Sequence, residues 1–450
     1  MHCQGYVVRE SQLRLATPDT FLSDPLHPRR VNFMPRIKPF AALRPHPQTA
    51  SLVASVPYDV VNREEAAELA KGNPASFLHV VRSDIDFPPG HDPYAPEIYS
   101  SAADNLQRLL RENLLTQESS ECLYAYRQIM GDHSQIGIVC CAHIDDYENN
   151  LILKHEKTRP AKEDDRTRHV IALDANSGPV FLTYRGSTHI DSQVSIAVQN
   201  NEPLFDFTAP DGIQHTVWRI TDTQALTESL SAVPRFYIAD GHHRAASAWR
   251  AGQQKRGSLP ESARDAAECN WFLTVLFPSD QLQILPYNRI ISGLNGLTPS
   301  ELLERLGQIG QMLPTENASP QSPGEFCLYI DRKWWLLKVP VPEEVATDPT
   351  VSLDVSILEH LVLSPILGIQ DVRTDPRIDF VGGIRGTAEL EKLCQSGAWD
   401  LAISMYRTSI TQLMAVSDAG QIMPPKSTWF EPKLRSGLLI HKLTDQPAPN

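Results

Sequence analysis

Several things are missing from this chain of 450 residues, and each absence excludes a class of function. No apolar run approaches the roughly 20 residues that a membrane helix needs, and no apolar signal core stands near the first residues. A cytoplasmic protein without a membrane partner is therefore expected. Cysteines spaced as CxxC are absent too: the seven include Cys140 and Cys141, adjacent in an apolar run, and the isolated Cys122, Cys269, Cys327 and Cys394. They read as buried thiols in a reducing compartment rather than a zinc site or a disulfide framework. Positive charge is scarce, and a net charge of −13 argues against a nucleic-acid partner, which would need basic patches to release counterions. Finally, there is no GxxxxGK[ST], no GxGxxG behind a strand, no HExxH and no GxSxG. P-loop, Rossmann, zinc-protease and serine-hydrolase chemistry thereby lose their main support.

What is present fits a globular protein. Hydrophobic content of 41% and charged content of 21% are ordinary, and the length exceeds what one core usually organises, so two or three domains are expected. Residues 1–33 show little periodicity, with Pro18, Pro25 and Pro28 among polar residues. A disordered tail and a translation start placed upstream of a true first residue Met34 both fit that pattern. Asn62 followed by Glu65 predicts a capping box and a helix. Phe77–Val81 predicts a strand, and Ile98–Leu115 an amphipathic helix with Leu106, Leu109 and Leu110 inward. Cys122–Met130 and Ile136–Ile144 predict a hairpin about Gly131-Asp132. Further strands are expected at Pro179–Tyr184, Val217–Ile220 and Arg235–Ala239, with polar material up to Asn201. A second hairpin is expected from Trp271–Leu276 and Gln283–Pro286. Thr298–Leu313 has a helical pattern, and Pro314–Pro323 reads as a linker, with a boundary near 295 or 320. Beyond it the pattern alternates: strand Glu325–Val339, helix Ser356–Leu363, strand Ile378–Val381, helix Ala388–Ser396 and strand Leu401–Met405.

One stretch carries the strongest chemical signal. In Tyr237-Ile-Ala-Asp-Gly-His-His-Arg244 an apolar run stops at an acid, a glycine, two imidazoles and a guanidinium, and a helix-forming run follows. As strand, turn and helix it sets Asp240 at the strand end and gives Gly241 a positive φ. His242, His243 and Arg244 then fall near a helix N-terminus, which attracts anions. Phosphate is the natural ligand, and Asp240 beside it is placed for a divalent cation. The competing reading is a polar turn capped by Asp240.

Two other segments qualify. His155-Glu156 heads a block with Lys154, Lys157, Arg159, Lys162, Arg166 and Arg168. Surrounding cations are expected to lower the carboxylate's pKa, leaving a base able to take a proton from a hydroxyl beside bound phosphate. Alternatively the block is a solvated helix face paired with Glu163, Asp164 and Asp165. The loop Met423–Lys433 offers Lys426, Ser427 and Thr428 to a small anionic or zwitterionic molecule, or else packs as a Pro-rich closing strand. Asp59 and the strand end Tyr126-Arg127-Gln128 are weaker candidates, read as structural.

These motifs resemble a known family. Pro57-Tyr-Asp-Val, Lys154-His-Glu-Lys-Thr-Arg-Pro, Gly178-Pro-Val, Tyr237 to Arg244 and Met423-Pro-Pro-Lys-Ser-Thr, in that order, resemble domain-of-unknown-function family 1015 over about residues 35–443. The Asp-Gly-His-His-Arg turn is also similar to that of free L-serine kinases of the ParB and sulfiredoxin-like superfamily, as are the His-Glu pair and the ending that runs from Ile378-Asp-Phe-Val to Pro425-Lys-Ser-Thr. That resemblance implies Glu156 as catalytic base, Asp240 as a second catalytic carboxylate, and His242, His243 and Arg244 around nucleotide phosphate; His155, Lys157, Arg159 and Gly241 are expected beside the phosphate as well, with Asp240 as the metal holder. The gap from Glu156 to Asp240 is longer here than in the compact kinases.

The expected fold class is α+β, a ParB/sulfiredoxin-like nucleotide core over 151–295 between an N-terminal α/β region, 34–150, and a C-terminal α/β domain, 296–450. The expected activity is transfer of phosphate from ATP or ADP, with Mg²⁺, to a metabolite hydroxyl, free L-serine first among acceptors, held by Lys426, Ser427 and Thr428. A nucleotide-hydrolysing switch without an amino-acid acceptor, or a phosphometabolite hydrolase, are the alternatives.

Overall fold

A computed structural model of the chain describes residues 34–340 and 347–444; the two readings of residues 1–33 lie outside them. The apolar strands of the first two thirds form one nine-stranded mixed sheet. Its centre is the expected hairpin, Leu123–Met130 with His133–His143. Trp271–Pro278 lies antiparallel to the second hairpin strand and parallel to Val180–Tyr184. Next comes Phe236–Asp240, antiparallel to Val180–Tyr184, and at the edge the two-residue strand Ile152–Leu153, parallel to Phe236–Asp240. Gln214–Ile220 and Pro203–Thr208 extend the other side.

Both faces of this sheet are covered, which explains strands that read as continuous apolar runs rather than alternating ones. Cys141, Tyr126, Phe181 and Tyr237 face one core, while Cys140, Ala125, Leu182 and Ile238 face the other. The adjacent cysteines thus divide between two faces, as the period of a strand requires. All six described cysteines are free thiols.

A second, six-stranded antiparallel sheet is built from Tyr287–Ile291, Gln311–Pro314, Glu325–Ile330, Lys333–Lys338, Ile378–Gly382 and Leu401–Met405. The Pro-rich stretch after Pro314 joins two strands of this sheet. Glu325–Val339 is two strands, not one, turning at Asp331-Arg332 where both residues have positive φ. Helix Gly386–Gln395 and strands Ile378–Gly382 and Leu401–Met405 lie where the pattern sets them, and Ser356–Leu363 is helical with a π turn at Glu359–Leu363.

Three expectations need correcting. Phe77–Val81 is not a strand: Leu78–Val81 is a short helix, buried on nearly every side. A short apolar run buried all round has no periodicity to separate the two states. The polar material before Asn201 contains a helix, Thr188–Gln199, which turns only Ile190 and Val194 fully inward. Trp271–Pro278 and Gln283–Leu285 form no hairpin, because Gln283–Leu285 pairs with Trp429–Glu431 instead. By contrast the capping box is present, with the Asn62 side chain accepting from the Glu65 N–H at 2.8 Å and Glu65 accepting from the Asn62 N–H at 2.9 Å. Among the described residues no helix is long and apolar enough to cross a membrane.

Candidate functional site

The strand, turn and helix expected around Asp240 are all there. Strand Phe236–Asp240 is buried up to its last residue, Gly241 takes φ +90° at the N-cap, and the helix runs His242–Ser258. A side chain at Gly241 would be strained by that φ, and its Cβ would lie 2.9 Å from Arg244 Nε. The parallel edge strand then brings the second motif alongside. Phe236 pairs with Ile152 and Tyr237 with Leu153, so the chain leaves the edge strand towards Glu156 on the same side as Phe236–Asp240 runs out to Asp240. A hydrogen bond ties the two segments together beyond the strands: the Arg159 N–H donates to His243 Nε2 at 3.1 Å.

The two motifs line an open cleft of about 810 Å³. Glu156, Lys157, Arg159, Asp240, Gly241, His242 and His243 face it, together with Lys426 and Thr428 from the C-terminal loop. Three expected residues do not. His155 is buried, its Nε2 3.3 Å from His242 Nε2, with the rings edge to face. Arg244 is buried behind the turn, donating to the Pro179 carbonyl at 2.6 Å and to Asp240 Oδ2 at 3.0 Å, with Asp59 Oδ2 at 3.7 Å. Ser427 is buried, and its hydroxyl donates to the Pro424 carbonyl at 2.6 Å.

The basic block is not a helix face paired along its own length. Its helix starts at Pro160, and Glu163 and Asp164 reach across to Arg250 of the site helix. Asp165 pairs with its neighbour Arg166 at 2.9 Å and accepts from the Tyr99 hydroxyl. Lys157 and Arg159 form no ion pair among the described residues. Tyr126, Arg127 and Gln128 belong to packing: Tyr126 contacts His215, Arg127 lies over the Trp218 ring, and Gln128 donates to the Lys433 carbonyl.

Electrostatics separates the two carboxylates. Around Asp240 burial opposes ionisation, yet Lys433, Arg244 and His242 outweigh it and hold the carboxyl well below the usual range. Glu156 moves the other way, opposite to the expectation that cations dominate. Burial raises its pKa, Asp240 and Asp59 push in the same direction, and Lys426 and Arg159 offset this only in part. Environments that push two neighbouring acids apart separate their roles, one a fixed charge and the other a titrating group. His155 is lowered to about 4 by burial, so the histidine pair is neutral near pH 7.

Residues the motifs left unassigned complete the site. Asp59 lines the cleft and approaches Arg244, and Tyr287 lines it beside Trp429 and Lys433 of the C-terminal loop. Lys426 takes φ +58° and holds its ammonium 5.3 Å from the Tyr287 ring centre. Trp429 lies against Gly382, where a Cβ would come within 2.8 Å of the indole. The loop is tied to the motif it faces, since the Met423 N–H donates to the His155 carbonyl at 2.8 Å. In all, nine Lys or Arg and five Asp or Glu side chains line the cleft, a local excess of positive charge in an acidic protein. Among the described residues no group of three or more His, Cys, Asp or Glu is arranged to hold a metal ion.

Fold and site together define a mixed α+β protein with an anion-attracting cleft between a large mixed sheet and a C-terminal loop. The chain belongs to the family described as protein of unknown function (DUF1015), whose model matches residues 37–356. No curated protein is matched. Among solved structures, the chain is similar to a conserved hypothetical protein from Pyrococcus furiosus, at 15% identity and TM-score 0.31, covering 67% of this chain and 95% of that one. It is similar to a free serine kinase in complex with AMP, at 15% identity and TM-score 0.33, covering 67% and 92%. SbnI from Staphylococcus aureus, with a C-terminal truncation, is matched at 13% identity and TM-score 0.36, covering 67% and 87%.

Proposed function

We propose that the protein is a small-molecule kinase, transferring phosphate from ATP or ADP to a metabolite hydroxyl, with free L-serine the leading acceptor and residues 151–295 a ParB-like nucleotide core. The observation that carries this reading is that Glu156, three residues past the edge strand Ile152–Leu153, and Asp240, at the end of the strand it pairs with, line one cleft with excess positive charge. Phosphoryl transfer is catalysed mainly by positioning and charge neutralisation, with one base to receive the hydroxyl proton. Glu156, half-buried with a raised pKa, suits that base, since proton transfer is most efficient near the operating pH. Lys157, Arg159 and the His242-His243 helix start would bind the phosphates.

The donor set does not make an all-protein Mg²⁺ cage, but Mg²⁺ usually binds through one or two carboxylates plus substrate phosphates. Asp240 and Asp59 both face the cleft and fit that role. When bound with the nucleotide, the ion neutralises phosphate charge. Lys426 would pair with an acceptor carboxylate, next to Thr428. The test is incubation of the purified protein with ATP or ADP, Mg²⁺ and a panel of hydroxyl metabolites. Phosphate appearing on one acceptor supports the kinase; nucleotide hydrolysis indifferent to every acceptor would support a switch instead, and release of phosphate from a phosphorylated metabolite a hydrolase.

A further inference from the structure

The cleft contains a lysine that no motif assigns and whose ammonium has no hydrogen-bond acceptor among the described residues. Lys433 sits just after the short strand Trp429–Glu431, and its backbone is held on both sides. Its N–H donates to Glu431 Oε2 at 3.1 Å, and its carbonyl accepts from Gln128 at 2.9 Å. The side chain keeps only 11% of its exposure and lies with Nζ 4.6 Å from the Trp429 ring centre. Nζ stands 3.6 Å from Asp240 Oδ2, beyond hydrogen-bond reach, and that oxygen already accepts from Arg244 at 3.0 Å. An ammonium has three donors. Withdrawing it from water is costly unless those donors are satisfied. The ring face and the Asp240 carboxylate both take up the charge without a hydrogen bond, and Lys433 lines the cleft with its donors unused.

We propose that Lys433 is a phosphate-contacting residue of the cleft, binding an anionic oxygen of a phosphorylated ligand beside Asp240. The proposal rests on the reading that the cleft takes a phosphorylated ligand and deepens it, by adding to the nucleotide motif a cation supplied from the far end of the sequence. The lysine is fixed before the ligand arrives, so little ordering cost falls on binding.

The experiment compares the intact chain with Lys433→Met, which keeps the stem over Trp429 and removes the charge, and with Lys433→Arg, which restores it. Each is titrated calorimetrically with ADP, adenosine and inorganic pyrophosphate, alongside a thermal melt. Lys433→Met should bind ADP and pyrophosphate tenfold to a hundredfold more weakly, the scale of a lost charge-assisted hydrogen bond. Adenosine affinity should not change, and Lys433→Arg should recover part of the loss. Equal ADP and pyrophosphate affinities in Lys433→Met and the natural chain overturn the proposal, as does an equal loss for adenosine, which marks a packing role. A natural chain that binds pyrophosphate but not ADP removes the nucleotide and leaves the Lys433 comparison decisive. A natural chain that binds neither overturns both readings.

Discussion

His243 Nε2 accepts the backbone N–H of Arg159 at 3.1 Å. An accepting Nε2 means a neutral ring with its proton on Nδ1, in keeping with the lowered pKa that burial gives this histidine. The bond also locks the segment after Glu156 to the first turn of the site helix.

Glu156→Gln should therefore leave nucleotide binding largely intact and lower turnover by roughly 10²-fold or more, the scale of general-base loss. Because the carboxyl's pKa is raised, turnover should rise with pH along a limb lying above the ordinary carboxylate range. The variant should lack that limb. A pH profile of turnover checks both, and full activity in Glu156→Gln would remove the base assignment.

Arg244→Ala is expected to act on stability before it acts on ligand. The buried guanidinium bonds to the half-buried Asp240 and to the Pro179 carbonyl, with the more exposed Asp59 nearby, so its removal leaves these acceptors without their donor. Losing these charge-assisted hydrogen bonds from one side costs about 1–3 kcal/mol. Denaturant unfolding of the variant should show a loss of that order, with weaker nucleotide binding as a consequence. An unchanged unfolding midpoint would return Arg244 to the role of a direct phosphate ligand.

Within the C-terminal loop the structure separates two neighbours that the motif treats alike. Lys426→Ala should raise the acceptor's KM several-fold more than the nucleotide's, because its ammonium faces the cleft near Glu156. Ser427→Ala should leave both KM values alone and cost about 1 kcal/mol of stability, since its hydroxyl serves Pro424. Steady-state kinetics over both substrates would expose the opposite pattern.

Stability should fall on mild acidification. Burial lowers His143 and His155 from an ordinary 6.5 to about 4, and His169 to about 3. In each case the unfolded chain takes up a proton first, so the contribution is whole above pH 6.5 and is lost as pH falls towards 4. Each such shift amounts to a few kcal/mol at most. Urea midpoints should decline between pH 7 and 4.5; a flat profile would mean that these rings are solvated.

How much of this was readable in the sequence depends on distance along the chain. The Asp240 turn was legible because strand, left-handed glycine and helix are adjacent and each has its own local signal. The alignment of Glu156 with Asp240 was not, because it rests on a two-residue parallel strand, Ile152–Leu153, too short to leave a pattern. The pairing of Gln283–Leu285 with Trp429–Glu431 was missed for the same reason: proximity in sequence favours a hairpin with Trp271–Pro278, and only the assembled chain supplies the distant partner. Lys433 was visible as a second lysine of its loop, but nothing local distinguishes an ammonium held against Asp240 from one in solvent. The raised pKa of Glu156 likewise depends on enclosure, whereas composition shows only the neighbouring cations.

The segment from Met423 to His441 joins parts of the protein made long before it. Met423 bonds to His155, Lys433 approaches Asp240, Ser436 bridges to Ser55, Ile440 to Leu43 and His441 pairs with Asn176. During synthesis the large sheet can form with the ribosome still holding that segment, but the cleft lacks a wall until it emerges. On the proposed function, a chain at that stage would lack ligand binding, and a protease clipping near residue 420 should abolish it while sparing most of the sheet.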